Sequence, residues 1–201
     1  MRGLLVDFGG VLTTDVFHSF RRFCEREGLD PERVKQLFRD APDALGDLRG
    51  LERGELTEEE FSERFGARLG VDDTTDLVNR LFAEMGPDQE MIEAVRSVRS
   101  AGVRTGLISN SWGAGRYDRS VFPELFDGVV VSGEVGLHKP QPEIYELGAE
   151  RVGVPAQECV FVDDLRENCE GAQAVGMTAV LHRGAERTLP ELERLLGVTL
   201  R

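Results

Sequence analysis

Short apolar runs bounded by glycine and polar residues recur at Gly3-Leu4-Leu5-Val6, Val103 to Ile108, Val129-Val130-Val131, Val160-Phe161-Val162 and Thr178-Ala179-Val180-Leu181. Runs this short, continuous rather than alternating, predict strands buried on both faces. The later ones are separated by helical patterns over residues 88–100, with Met91, Ile92, Val95 and Val98 on one face, then over 143–152, 166–175 and 186–196. Strand and helix alternate from Asp88 onward, which predicts a parallel sheet covered on both sides.

The stretch from Asp15 to Met85 has charged helical patterns and no convincing strand. Phe17, Phe20, Arg21 and Cys24 share one predicted helical face, and Phe61, Phe65 and Leu69 repeat at i, i+4, i+8 behind a cap at Thr57. Asp30-Pro31 starts another helix, residues 74–84 make a further one, and Gly86-Pro87 punctuates the exit. The expected architecture is an α/β, Rossmann-like, doubly wound core formed by residues 1–14 and 86–201, with a helical cap, residues 15–85, inserted after the first strand.

Composition narrows the function. The chain has 201 residues, 40% of them hydrophobic, enough for a full core without disulfides or structural metals. Its net charge of −13 repels nucleic acid and anionic membrane surfaces, so a small anionic ligand needs a local positive pocket. Cys24, Cys159 and Cys169 are scattered and form no metal-binding or disulfide pattern, which fits a reducing compartment. Met1 runs almost directly into the first strand, leaving no room for a signal peptide, and no long apolar run follows; the expectation is a cytoplasmic protein with no membrane partner. Oligomeric state is not readable.

In open parallel sheets ligands bind beyond the carboxyl ends of the strands. Four such ends are rich in chemistry: the first strand ends in Asp7-Phe8-Gly9-Gly10, the second in Ser109-Asn110-Ser111, the third leads to His138-Lys139-Pro140, and the fourth ends in Asp163-Asp164. They supply a carboxylate with close backbone approach, a hydroxyl beside an amide, a fixed cation and a carboxylate pair. That inventory suits metal-assisted attack on a phosphoryl group. Taken singly each has a plainer reading: a turn for the glycines, helix caps for Ser109-Asn110 and Asp163-Asp164, a solvated lysine for Lys139. The stretch Gly133 to Lys139 lacks the glycine before the lysine and the Ser or Thr after it, which excludes a nucleotide phosphate-binding loop.

In their order, DFGGVL at Asp7 to Leu12, LISNSW at Leu107 to Trp112, HKPQPEIY at His138 to Tyr145 and VFVDDLREN at Val160 to Asn168 resemble the four motifs of the haloacid dehalogenase superfamily. The detail is most similar to the N-terminal phosphatase domain of soluble epoxide hydrolases and to bacterial sugar-phosphatase relatives. The epoxide-opening activity belongs to a separate domain and is not implied. The resemblance implies an enzyme that hydrolyses a small phosphorylated metabolite, sugar-phosphate-like, with Asp7 attacking phosphorus to form an aspartyl-phosphate. It implies that Ser109 and Asn110 bind the transferred group and that Lys139 stabilises its charge. Mg²⁺ would be held by Asp7, the Gly9 carbonyl and Asp164, with Asp163 and Asn168 as outer partners.

One position departs from the pattern. Family phosphatases carry a second Asp two residues after the nucleophile, where it protonates the leaving oxygen and activates water; here that position is Gly9. Such help is worth typically about 10²–10⁴-fold in rate. Three readings stay open: a phosphatase with another proton donor, with Asp15, His18 and His138 as candidates; a 2-haloacid dehalogenase, which needs no leaving-group acid; and a non-catalytic protein that binds a phospho-ligand or a partner. Asp163-Asp164 speaks against the dehalogenase, because adjacent carboxylates without a cation raise each other's pKa.

Overall fold

The computed structural model describes residues 1–112, 117 and 119–200. The apolar runs form five parallel strands, β1 (Gly3–Val6), β2 (Arg104–Ser109), β3 (Gly128–Val131), β4 (Cys159–Asp163) and β5 (Thr178–Leu181), in the order β3-β2-β1-β4-β5. Helices α1 (Val16–Arg26), α2 (Arg33–Asp40), α3 (Pro42–Glu52), α4 (Glu58–Leu69) and α5 (Leu77–Leu81) lie between β1 and β2, followed by α6 (Gln89–Ser100). Beyond β2 come α7 (Phe122–Leu125), α8 (Ser132–Val135), α9 (Pro142–Val152), α10 (Arg166–Ala174) and α11 (Ala185–Leu196).

Because side chains alternate along a strand, each strand feeds two layers. Leu4 and Val6 pack with Leu107, Val160 and Val162 against Met91, Val95 and Val98 of α6 and Leu192 of α11. Leu5, Ile108 and Phe161 point the other way, onto Ile144, Tyr145 and Val152 of α9 and Ala172 of α10. The chain therefore adopts the doubly wound α/β core read from its sequence. Gly128 allows α9 to settle on β3, since a Cβ there would lie 2.8 Å from backbone atoms of Arg151.

Helices α1 to α5 close on a separate apolar cluster that includes Phe20, Phe23, Phe61, Phe65, Leu77 and Leu81. Thr57 caps α4 in a full capping box with Glu60, as its sequence position suggests. Other elements differ from the expectation. The buried face of α1 centres on Ser19, Phe20, Phe23 and Cys24, leaving Phe17 and Arg21 half-exposed. Helix α2 begins at Arg33, after a turn in which Asp30 accepts the N–H of Glu32 at 2.8 Å. Helix α5 is far shorter than residues 74–84, because Asp76 takes a left-handed conformation (φ 52°) that cannot continue a helix. Helix α3, which the periodicity did not reveal, fills the gap between α2 and α4.

The chain crosses between the two clusters at adjacent points. Thr13 and Pro87 form an antiparallel bridge, Thr14 N–H donates to the Gly86 carbonyl (2.8 Å), and Asp88 N–H donates to that of Leu12 (2.9 Å). A second junction is aromatic: Trp112, just beyond β2, packs among Phe20, Phe38, Phe61 and Phe82, with centroid separations of 4.9–5.8 Å. Among the described residues no helix is long and apolar enough to cross a membrane.

Candidate active site

Strand register brings the polar tips together. Val6 pairs with Leu107 and with Val162, so Asp7, one step further, stands level with Asp163, and its N–H donates to the Val162 carbonyl at 2.9 Å. Lys139, on the loop before α9, is buried (3% exposed), and its Nζ reaches both Asp7 Oδ1 (2.8 Å) and Asp163 Oδ2 (2.6 Å). Asn110 fixes that loop: its Oδ1 accepts the Lys139 N–H (2.9 Å) and its Nδ2 donates to the Lys139 carbonyl (3.1 Å). Ser109 Oγ lies 2.9 Å from the Tyr117 hydroxyl.

The carboxylates Asp7, Asp163 and Asp164 each place an oxygen within 4.8 Å of the others. Asp163 is fully engaged: Oδ1 accepts from Leu165 N–H (2.8 Å) and Asn168 Nδ2 (3.0 Å), and Oδ2 accepts from Lys139 and Asn168. Asn168 is held in turn by the Tyr145 hydroxyl, which donates to its carbonyl at 2.8 Å. Asp7 and Asp164 are thus the carboxylates left to face a cation. The Asp164 carboxylate is pressed against Gly10 (φ 75°), where a Cβ would sit 2.6 Å from Oδ2, so only glycine fits there.

Electrostatics point the same way. Burial pushes Asp7 up to about 6 despite the pull of Lys139. Burial, with the charges of Asp7 and Asp163, pushes Asp164 up to about 7. For Lys139, burial pulls down, but the Asp163 and Asp7 carboxylates together hold it well above the ordinary lysine range. Lys139 pairs with Asp7 and Asp163 while Asp164 adds a third carboxylate beside them, and the excess negative charge together with the hard oxygen donors fits a divalent cation such as Mg²⁺.

The candidate proton donors named from the sequence fare differently. Asp15 caps α1, accepting the Phe17 N–H at 2.8 Å, and is exposed; His18 is exposed on the same helix. His138 is buried, with Nδ1 2.8 Å from the Lys139 carbonyl and Nε2 3.4 Å from Arg53. The sequence reading missed Glu52, whose Oε2 lies 3.4 Å from Asn110 Nδ2, and Tyr117. Pro42 opening a run with Ala44, Leu48 and Leu51 was the one available sign of the helix that carries Glu52.

A cavity of about 750 Å³ adjoins the site. It meets the chemistry at Gly9, Ser109 and Asn110, whereas Leu12, Phe82, Pro87, Ile92, Trp112 and Phe122 make much of the remaining wall apolar.

A parallel sheet at whose carboxyl edge a buried carboxylate–lysine–carboxylate cluster adjoins an open cavity suits a hydrolase of the α/β class. Residues 1–176 match the haloacid dehalogenase-like hydrolases, and the chain belongs to that family. Among curated relatives it is 29% identical over 152 residues to a sesquiterpene phosphatase of Aspergillus oryzae, a match covering 73% of this chain and 78% of that protein. It is also 30% identical over 157 residues to acyl-CoA dehydrogenase family member 10 of Mus musculus, and 26% identical over 220 residues to bifunctional epoxide hydrolase 2 of Sus scrofa. Those matches cover 74% and 100% of this chain but only 15% and 40% of the longer relatives. A solved HAD family enzyme of Bacteroides thetaiotaomicron, in complex with magnesium and inorganic phosphate, superposes with a TM-score of 0.63 at 21% identity, covering 91% of this chain and 94% of that one.

Proposed function

We propose that this hydrolase is a magnesium-dependent phosphatase of small phosphate monoesters, with Asp7 as nucleophile. The observation that carries the reading is the buried cluster in which Lys139 bridges Asp7 and Asp163 while Asp164 faces Asp7. Lys139 orients the Asp7 carboxylate and, with the Ser109 hydroxyl, would offer donors to the nonbridging phosphoryl oxygens, while Asn110 serves the same group by holding the Lys139 backbone in place. Asp7, the Gly9 carbonyl and Asp164 would hold Mg²⁺, with Asp163 and Asn168 behind them; the bound ion would neutralise phosphoryl charge as the aspartyl-phosphate forms. Helices α1 to α5 would act as the cap that excludes water, turning on Thr13 to Asp15 and Gly86-Pro87.

The cavity refines the substrate class. Walls of Leu12, Phe82, Ile92, Trp112 and Phe122 favour an organic group with apolar surface over a polyhydroxylated sugar. The reading is tested by phosphate release from alkyl, aryl and sugar monoesters, with Mg²⁺ and with chelator. Release should require the metal and be abolished by Asp7→Asn, with the folded state retained. Wild-type turnover by Asp7→Asn would overturn the nucleophile assignment. Halide release from a 2-halo acid without metal would favour the dehalogenase, and inactivity on every ester would favour a binding protein.

A further inference from the structure

Glu52 ends α3 and is 8% exposed. It is carried inward because the end of α3 is fastened to the sheet side of the molecule. The Glu52 carbonyl accepts the Ser132 hydroxyl, whose oxygen accepts the Ser111 N–H at 2.8 Å. Two residues on, Gly54 passes so close to the Gly133 carbonyl that a Cβ would lie 3.1 Å from it. The side chain meets the site through Asn110, which donates to Glu52 Oε2 (3.4 Å) with the same amide that holds the Lys139 backbone.

The charged groups that act most on Glu52 are Lys139 on the loop before α9, Asp7 at the end of β1, Arg49 on its own helix and Glu167 on α10. Lys139 is already shared between two aspartates, and Arg53 directs its guanidinium to Glu55 and His138. Burial dominates and pushes Glu52 up to about 8, which favours its protonated form at neutral pH.

We propose that Glu52 is the acid–base residue that Gly9 does not supply. This rests on the phosphatase reading above. In-line displacement puts the leaving oxygen on the face of phosphorus opposite Asp7. Asp7 comes from the sheet, whereas Glu52 is delivered by a helix of the unit inserted after β1. As the bond from Asp7 to phosphorus forms and the ester P–O bond breaks, the Glu52 proton passes to the leaving oxygen and the alcohol departs. Water then enters the vacated face. Its oxygen bonds to phosphorus, its proton returns to Glu52, the Asp7–phosphorus link breaks, and phosphate is released. On this proposal one residue serves both half-reactions.

The test compares Glu52→Gln with the wild type on alkyl and aryl phosphates in saturating Mg²⁺. Glutamine keeps an acceptor for Asn110 but cannot exchange the proton. Turnover on alkyl esters should fall roughly 100-fold or more. Aryl esters, whose leaving groups need no proton, should show a rapid burst of one phenol per enzyme followed by slow turnover, with phosphate trapped on Asp7 and detectable by mass spectrometry. Adding Gly9→Asp to Glu52→Gln should restore alkyl turnover. Should Glu52→Gln fold poorly, the wild-type rate across a leaving-group series decides: protonation flattens the dependence, and a steep slope throughout overturns the proposal. Unchanged turnover by Glu52→Gln, or an equal fall on both ester types without a burst, also overturns it. If the wild type releases no phosphate from any ester, the phosphatase reading fails first and this assignment with it.

Discussion

At the scale of single residues, the site concentrates ionisable groups that burial drives away from their ordinary behaviour, and that has consequences separable from catalysis. Glu52 is the simplest case because it has no dedicated cation. Its folded-state value of about 8 lies above the ordinary 4.5, so the folded protein binds an extra proton between those values. Its stabilising contribution is therefore complete below about pH 4.5 and is lost as pH rises through about 8. Glu52→Gln, which mimics the protonated form, should flatten that dependence and be the more stable protein at pH 9, by an amount on the order of a few kcal/mol. Urea denaturation of both proteins from pH 5 to 9 measures it; parallel curves would show that Glu52 is not held protonated. The Asp7–Lys139–Asp163 cluster was legible as residue types at strand ends, whereas the division of labour among its carboxylates was not. Only the bonds from Leu165 and Asn168 to Asp163 reveal which aspartate is already spent.

Among the elements, the strands were readable because doubly buried strands are uninterrupted apolar runs, and β1 and β4 expose none of Leu4, Leu5, Val6 or Val160 to Val162. Helix α3 escaped because Gly46, Gly50 and its charged residues dilute the apolar period, and its inner face buries Asp47 and Glu52 alongside Leu48 and Leu51. Buried polar residues look like surface to any periodicity argument. Asp47 is answered by Arg64 at 3.1 Å and by Arg68, partners that lie on α4 and so are invisible to a reading of α3 alone. Helix α4 itself carries a local signal that can be tested. Thr57→Ala removes the hydroxyl that accepts the Glu60 N–H at 3.1 Å and should cost about 1 kcal/mol of stability. On the other side of the molecule, Gly128→Ala forces β3 and α9 apart and should cost about 1–3 kcal/mol. Chemical denaturation of both variants ranks the two effects, and a costless Gly128→Ala would mean that α9 can shift without loss of packing.

Considered whole, the molecule is a sheet with an apolar cluster on each face and a helical unit with a third, joined by a paired chain crossing, an aromatic contact and the fastening of α3 to Ser132, with the carboxylate cluster at the junction. On the phosphatase reading, the excess buried negative charge should make the apoprotein less stable than one loaded with Mg²⁺. Mg²⁺ with inorganic phosphate, each at about 100 times its dissociation constant, should add about 2.7 kcal/mol per bound ligand, a rise of several degrees in melting temperature. Asp164→Asn should abolish most of the Mg²⁺ contribution, as read by differential scanning fluorimetry. An unchanged shift in that variant would move the cation away from Asp164.

The paired crossing has one more consequence. Entry and exit of the helical unit are already hydrogen-bonded neighbours, Thr14 to Gly86 and Leu12 to Asp88, so a tight turn could replace the whole excursion without stretching the sheet. What forbids a clean excision is the indole of Trp112, which would be stripped of the rings of Phe20, Phe38, Phe61 and Phe82. A minimal, stand-alone version of the sheet half should therefore stay monodisperse only when that tryptophan is exchanged for a polar side chain.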